Sequence, residues 1–287
     1  MKNLKILFVI IIISISFYTI IMSIKLTIDL KDAKEKLKSY QPSQMILSYG
    51  NIEYLDRGDG EVLLVCHGIF GGFDQGYESL KDLTKDFRIL SPSRFGYLNS
   101  DVLGKGTPEE QCKAYIVGTS AGGTVAIRFA LDYPNRCKGL ILYSSAMPET
   151  EKPKKINLQQ APPNFLCNNL PMYLISPFFK TIMGMESNIV KTMLPIDKRR
   201  KGVKIDGGIT NPDMAVNYDN YNIEEIEIPT LIFQSKDDKI TKYEKFITSV
   251  KRFKNSTFKI FETGGHLLVG HEKEINETVK NFINAHK

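Results

Sequence analysis

The residues of this chain that could do chemistry are a serine, a histidine and a pair of aspartates. Ser120 lies in a Gly-x-Ser-x-Gly pattern at residues 118–122, whose glycines let the chain reverse sharply and leave the serine hydroxyl exposed. A serine hydroxyl is a weak nucleophile at neutral pH, so it needs an imidazole to take its proton and a carboxylate to orient that imidazole. Asp237 and Asp238, and then His266, follow along the chain. These residue types indicate nucleophilic catalysis by a serine.

The sequence around Ser120 predicts the strand, tight turn and helix that such a serine requires. Residues 114–117 form a short apolar run typical of a buried strand, and residues 124–131 continue at helical spacing. The first N–H groups of that helix would point to the place where an oxyanion could be held. By itself the pattern is weak evidence, because small residues also form ordinary turns between a strand and a helix.

The other candidate groups also follow predicted strands. Residues 61–66 are almost wholly apolar and lead into a glycine-rich loop at residues 67–72, which could bring backbone N–H groups close to a substrate oxygen. An ordinary glycine-rich connection is the alternative interpretation of this loop. The two aspartates follow an apolar strand that begins at Pro229, and His266 follows a strand that ends at Phe261.

The order of the predicted elements indicates a mostly parallel α/β sheet. Strands alternate with helices along most of the chain, which is the pattern of a parallel sheet with flanking helices. A hairpin at residues 45–55, turning at Gly50-Asn51, precedes this alternation. The further predicted elements are a helix at 77–85, strands at 87–91 and 138–144, and an amphipathic helix at 272–285.

Together these motifs resemble those of the α/β-hydrolase superfamily, and the resemblance covers the chain from about residue 45 to its end. The nucleophile elbow matches residues 118–122, the oxyanion loop matches residues 67–72, and the late acid and histidine match the segments at 234–240 and 264–267. The four matches together are far more specific than any one alone. The resemblance implies an α/β-hydrolase fold with a mostly parallel twisted sheet, flanking helices and a helical lid.

The resemblance also implies a role for each site residue. Ser120 would attack the substrate, His266 would act as general base and acid, and Asp238 would orient the imidazole. The backbone N–H groups of Ile69 and Ala121 would form the oxyanion hole. A small-molecule acyl compound is the expected substrate, and esters, thioesters, lactones and amides all remain open. A serine at the elbow argues against dehalogenases and epoxide hydrolases, which carry an aspartate there.

Four other residues compete for these roles or could be mistaken for them. Asp238 is favoured over Asp237 because the family's acid usually follows its strand by several residues and precedes an apolar residue. Glu149, just past the preceding strand, is a third candidate. His271 is interpreted as a surface histidine near the last helix, and His67 as part of the architecture of its own loop.

Composition narrows the function classes further. The net charge of +6 comes from 38 basic and 32 acidic residues spread along the chain, and no nucleic-acid-binding motif is present, so no nucleic-acid partner is expected. The cysteines at positions 66, 112, 137 and 167 follow no metal-ligand spacing, so we interpret them as free thiols. Neither a metal nor a cofactor is expected.

An excursion at residues 147–225, hereafter the insertion, interrupts the alternation of strands and helices. It is rich in Pro, Asn, Met and Lys, with helical patches near 172–185 and 188–193, and we interpret it as a lid that covers the substrate. Its basic cluster at residues 198–201 could touch anionic lipid, but a solvated surface is the favoured interpretation.

The N-terminal 44 residues predict a membrane anchor followed by a stalk. Residues 6–24 carry no charge and are long enough to cross most of a bilayer, so residues 1–25 are expected to be a single transmembrane helix. A cleaved signal peptide is the alternative, but no convincing small-x-small cleavage site follows. Residues 26–44 predict a charged stalk that stands apart from the hydrolase domain at 45–287. We expect that domain at the cell membrane on the extracytoplasmic side, although the lysines after the span outnumber those before it.

One departure from the family pattern motivates a second hypothesis. Thr107-Pro108-Glu109-Glu110 is a strong helix start, but Cys112-Lys113-Ala114 already enters the next strand, so the crossover from Ser91 is short for a full helix. About one helix would then be missing beside the elbow. The alternative to an enzyme is therefore a catalytically silent, membrane-anchored binding protein of the same fold. The enzyme is favoured because the serine, the acid and the histidine are all retained.

Overall fold

Eight strands form one sheet within the residues that the computed structural model describes, which are 2–47, 50–102 and 116–286. The strands are β1 (Ser43–Leu47), β2 (Gly50–Arg57), β3 (Val62–Cys66), β4 (Arg88–Pro92), β5 (Ile116–Thr119), β6 (Leu140–Tyr143), β7 (Thr230–Ser235) and β8 (Ser256–Phe261). Their order across the sheet is β1-β2-β4-β3-β5-β6-β7-β8. The pairings β1–β2 and β2–β4 are antiparallel and the others are parallel, so the predicted mostly parallel sheet is confirmed.

Hydrophobic residues cover both faces of this sheet. Strand β7, which lies between β6 and β8, is buried at every position, as expected of a parallel strand with helices on both sides. One face packs against helices that carry Val125, Phe129 and Phe246, and the other against helices that carry Val279 and Phe282. The helices are α1 (Lys2–Ser39), α2 (Phe73–Leu80), α3 (Gly122–Asp132), α4 (Asn169–Ile175), α5 (Phe179–Met183), α6 (Val190–Met193), α7 (Arg200–Ile205), α8 (Asn211–Val216), α9 (Tyr243–Val250) and α10 (Glu272–Ala285).

The structure differs from the sequence-based prediction at several element boundaries. Leu47 pairs with Gly50 and Ile46 with Asn51, so Gly50-Asn51 belongs to β2 and does not form the predicted turn. Helix α2 begins four residues before the predicted start at residue 77, and α9 was not predicted. The predicted helix start at 107–110, and with it the shortened crossover before the elbow, lies outside the described residues.

The insertion is attached to the rest of the fold by buried ion pairs. Arg199 is fully buried and donates to both carboxylate oxygens of Asp74, at 3.0 and 2.7 Å, and to the carbonyl of Leu194 at 3.2 Å. The prediction of a solvated basic cluster is therefore wrong at Arg199, although Lys198 and Lys201 are exposed. The physical reason is that a planar guanidinium can be buried when carboxylate and carbonyl oxygens accept its hydrogen bonds.

Helix α1 is one continuous helix from the predicted membrane span through the predicted stalk. From Ile6 to Phe17 its large apolar side chains are exposed, and the helix is long and apolar enough to cross a membrane. Met22 and Leu26, however, are buried in a hydrophobic cluster of the insertion. The second half of α1 therefore packs on the insertion, whereas the sequence predicted a stalk that stands clear of the fold.

Candidate active site

Ser120 occupies a sharp turn between β5 and α3. Its φ of 51° lies in the left-handed region that side chains with a Cβ rarely adopt. The turn is tightly packed, because a Cβ on Gly122 would lie 2.1 Å from the carbonyl oxygen of Cys66. A Cβ on Gly118 would lie 2.7 Å from that of Ala126. The glycines on both sides of Ser120 are therefore required by close packing, and the predicted elbow is present.

The structure brings together the three side chains that the sequence singled out. The Nε2 atom of His266 lies 2.8 Å from Oγ of Ser120, and its Nδ1 atom lies 2.8 Å from Oδ2 of Asp238. Because an ionised carboxylate can only accept, Nδ1 carries the hydrogen and Nε2 is free to accept from the serine hydroxyl. This arrangement can pass a proton from Ser120 to His266.

The surroundings of Asp238 keep its carboxylate ionised. Burial of the side chain acts to raise its pKa, but the hydrogen bond and charge of His266 and the donation from Thr241 outweigh burial, so the pKa lies below its usual value. Oδ1 accepts from the backbone N–H groups of Ile240 and Thr241 at 2.7 and 3.0 Å, and Oδ2 accepts from the Thr241 hydroxyl at 2.5 Å. These contacts fix the carboxylate opposite the imidazole.

Asp237 has a different environment from Asp238. Its Oδ1 atom accepts from the backbone N–H of Gly265 at 2.8 Å and from the hydroxyl of Ser235. Partial burial acts to raise its pKa, but these hydrogen bonds outweigh it and the pKa is lowered. Asp237 therefore holds the loop that carries His266, whereas Asp238 contacts the imidazole itself.

The loop at residues 67–72 approaches Ser120 closely. A Cβ on Gly68 would lie 3.3 Å from Cβ of Ser120. Within the described part of the chain, the N–H groups of Ile69 and Ala121 donate to no protein acceptor. Donors left free beside the serine are what a developing oxyanion needs.

The buried imidazole of His67 holds this loop in place through hydrogen bonds at both of its ring nitrogens. Its Nε2 atom accepts from the backbone N–H of Arg94 at 3.0 Å, so Nδ1 must donate to the carbonyl of Gly68 at 2.7 Å. Burial and the charge of Arg94 hold the pKa of His67 well below its usual value, which keeps the ring neutral. The side chain supports the loop and does not reach Ser120.

The remaining alternatives lie away from the serine. Glu149 forms an exposed ion pair with Lys245 at 2.9 Å. The Nε2 atom of His271 donates to the carbonyl of Thr263 at 2.9 Å, and the ring stacks on Phe261. Neither contacts Ser120 or His266.

Several supporting residues were not predicted from the sequence. Arg94 forms two 2.6 Å hydrogen bonds with Asp206 of the insertion, and Tyr97 donates to the same carboxylate at 2.5 Å. Thr241 and Gln234 contact Asp238. No local pattern marks Arg94 and Tyr97, because Asp206, which both contact, lies more than a hundred positions later in the chain.

Among the described residues no cluster of His, Cys, Asp or Glu could hold a metal ion. Cys66, Cys137 and Cys167 are buried, Cys137 and Cys167 are free thiols, and burial raises the pKa of Cys137 to about 12. Cys112 lies outside the described residues.

A family model described as serine aminopeptidase, S33, matches residues 100–274, which is more than half of the chain. A 2-hydroxy-6-oxononadienedioate/2-hydroxy-6-oxononatrienedioate hydrolase of Comamonas testosteroni is 24% identical over 263 residues, covering 77% of this chain and 86% of that protein. A proline iminopeptidase of Saccharolobus solfataricus is 26% identical over 271 residues, covering 80% of this chain and 87% of that protein.

A likeness to solved structures extends over most of the chain. The enol-lactonase from Burkholderia xenovorans LB400 matches with a TM-score of 0.64 at 14% identity, over 84% of this chain and 100% of the lactonase. At this low identity the likeness shows the fold alone.

Proposed function

The chain belongs to the serine aminopeptidase S33 family of α/β-hydrolases, and from that premise we propose that it cleaves a carboxylic ester or related acyl compound through an acyl-enzyme. It is a hydrolase enzyme of the α/β-hydrolase type. The proposed acyl-enzyme mechanism is supported most directly by the two 2.8 Å contacts that link Ser120, His266 and Asp238.

In the proposed mechanism Ser120 attacks the acyl carbon while His266 takes the hydroxyl proton at Nε2. The carbonyl oxygen becomes an oxyanion, and the N–H groups of Ile69 and Ala121 stabilise it. His266 then returns the proton to the leaving alcohol as the acyl–oxygen bond breaks. A water molecule, deprotonated by His266, attacks the acyl-enzyme and releases the acid and free Ser120. Asp238 keeps the imidazole oriented and stabilises its protonated form.

The acyl substrate is proposed to be a small molecule, and the names of the relatives define the panel that would identify its class. They are named as hydrolases of 2-hydroxy-6-oxo dienoic acids and as an iminopeptidase, and one fold neighbour is named as an enol-lactonase. A panel of p-nitrophenyl esters of increasing chain length, an enol lactone, a 2-hydroxy-6-oxo dienoic acid and a prolyl arylamide would separate these classes. Turnover of the esters in preference to the arylamide is the expected result.

We further propose that α1 is an uncleaved single-pass anchor. Support comes from the exposure of its apolar side chains on all sides between Ile6 and Phe17. A soluble protein would leave this surface in contact with water, at a large cost in free energy. The extracytoplasmic position of the catalytic domain stays a prediction.

Substitution of Ser120 tests the proposed activity. Ser120→Ala is expected to lower kcat for a p-nitrophenyl ester by at least about 10⁴-fold, because the nucleophile is lost while the fold is kept. Ser187→Ala, an exposed serine of the insertion, is the matched control and should leave the rate unchanged. Equal rates for Ser120→Ala and the parent enzyme would reject the proposal.

A further inference from the structure

We propose that the insertion is partly immersed in the membrane surface beside α1, and that Ser120 therefore receives acyl substrates that are dissolved in the bilayer. This inference rests on the proposed anchor and the proposed hydrolase activity. Lipid of the bilayer that α1 crosses would then contact the exposed apolar surface of the insertion.

The length of the apolar run of α1 provides the first step. Residues 6–24 would extend roughly 28 Å as a helix, which only just matches a hydrocarbon core of about 30 Å. The run is too short to leave a spare segment outside the membrane. All of it, up to Ile24, must therefore lie at membrane depth if α1 spans.

The contacts between α1 and the insertion begin inside that run. The hydroxyl of Tyr18 donates to the carbonyl of Leu174 at 2.6 Å. Met22, one turn later, is buried in the cluster that contains Met172. Because residues 18–24 cover roughly 10 Å of helix, the insertion overlaps the membrane by about that depth. This is the depth at which interfacial apolar side chains bind lipid, about 5–10 Å.

The charged contacts of α1 with the rest of the fold are found further along the helix, where the membrane surface should end. Asp29 forms an ion pair with Lys191 at 2.9 Å and accepts a hydrogen bond from Tyr173. Lys36 then lies 3.3 Å from Glu78 of α2. Among the described residues, the ion pairs that α1 forms with the rest of the fold thus lie beyond the proposed span.

The insertion presents exposed apolar side chains close in sequence to Leu174, whose carbonyl accepts from Tyr18. Phe178 and Ile182, in the turn and the helix α5 that directly follow α4, are 58% and 61% exposed. Leu170 on α4 is 37% exposed. Large apolar side chains exposed this far in a short segment indicate contact with an apolar surface.

The same segment borders the catalytic groups. The ammonium of Lys239, the neighbour of Asp238, donates to the carbonyl of Thr181 at 3.3 Å. A Cβ on Gly265, the neighbour of His266, would lie 3.3 Å from the carbonyl oxygen of Gly184. A membrane-dissolved acyl chain that enters beside α5 would therefore arrive at the side of the site where His266 lies.

Tryptophan fluorescence can test the immersion directly, because the chain contains no tryptophan. The full chain is reconstituted into phosphatidylcholine vesicles with or without brominated acyl chains, which quench tryptophan on contact. Phe178→Trp and Ile182→Trp report on the insertion, and Phe8→Trp reports on the span of α1. Ile46→Trp is the matched control, because Ile46 is 88% exposed and follows the far end of α1, roughly 30 Å along the helix from Tyr18.

We expect quenching at Phe8→Trp, Phe178→Trp and Ile182→Trp, and none at Ile46→Trp. Quenching at position 8 without quenching at positions 178 and 182 would overturn the immersion and leave the anchor in place. No quenching at any position would overturn the anchor and the immersion together. Blue-shifted emission at position 178 without quenching would mean that protein covers this surface, which also overturns the inference.

Activity provides the second readout. Ile182→Lys should lower turnover of a long-chain p-nitrophenyl ester held in vesicles several-fold, while turnover of soluble p-nitrophenyl acetate stays at the parent rate. Equal turnover of the vesicle-held ester by Ile182→Lys and the parent would contradict delivery from the bilayer. If the parent chain turned over neither the vesicle-held ester nor p-nitrophenyl acetate, the proposed hydrolase function would be contradicted instead.

Discussion

Ser120 is held in a backbone conformation that costs free energy, of order 1–3 kcal/mol for a residue other than glycine. Backbone hydrogen bonds to β6, to the segment that follows it and to the first turn of α3 maintain this conformation. Its N–H donates to the carbonyl of Tyr143 at 3.0 Å, and its carbonyl accepts from the N–H groups of Gly123 and Ala146 at 3.0 and 3.3 Å. This conformation places the hydroxyl of Ser120 within hydrogen-bond distance of the imidazole of His266.

Substitution of Asp238 tests the role of the carboxylate at this scale. Asp238→Asn should lower kcat for a p-nitrophenyl ester roughly 10⁴-fold, because an amide can donate to Nδ1 of His266 and favour the wrong tautomer. The binding of substrate should change little, so the loss appears in kcat more than in KM.

Glu149→Gln is the matched control for Asp238→Asn, since it replaces the exposed carboxylate that was the more distant candidate for the acid. It should turn over the ester at the parent rate. A larger loss in Glu149→Gln than in Asp238→Asn would contradict the assignment of the acid.

The sequence was informative about single residues where chemistry constrains the residue type. The glycines around Ser120 could be predicted because any Cβ would collide with backbone at the turn. The choice between Asp237 and Asp238 could not be derived from the residues alone, because both follow β7 and differ by one position. Only the folded loop directs one carboxylate to the imidazole of His266 and the other to the N–H of Gly265.

At the scale of elements, a buried ion pair joins the insertion to the loop that follows β4. Arg94 and Asp206 are almost fully buried, and the guanidinium binds the carboxylate through two hydrogen bonds of 2.6 Å. Arg94 also donates to the carbonyl of His67 at 2.8 Å. The ion pair thus connects the insertion to the loop that carries Ile69.

Asp206→Asn should destabilise the protein by about 3–5 kcal/mol, because it leaves the charge of Arg94 buried without a counter-ion. Asp219→Asn, in the same insertion, removes an exposed ion pair with Lys152 and should change stability little. Denaturant unfolding of the full chain in detergent measures both. Equal losses in the two variants would contradict a structural role for the buried pair.

The strands could be predicted from their apolar runs, whereas the insertion could not be folded from its sequence. Its helices α7 and α8 were missed, and Arg199 was placed in a solvated cluster. A charged run predicts exposure unless its partner is known, and Asp74 lies 125 positions earlier in the chain. The charge pattern gives no sign of such a distant partner.

At the scale of the whole molecule, α1 links the proposed membrane span to the insertion that borders the site. The apolar composition of its first half predicts a span, and in the described part of the chain those side chains are exposed. The packing of Met22 and Leu26 on the insertion could not be predicted, because it depends on how the insertion folds. Helix α1 therefore contacts both the insertion and the hydrolase core.

The central claim is that Ser120 is an activated nucleophile. The most direct test incubates the full chain in membranes with a fluorophosphonate probe and locates the adduct by mass spectrometry of the peptides. The account predicts one adduct, on Ser120, which is absent in Ser120→Ala, absent after heat denaturation and unaffected by Ser187→Ala. A folded protein that forms no adduct at Ser120, or that reacts equally at other serines, would contradict it.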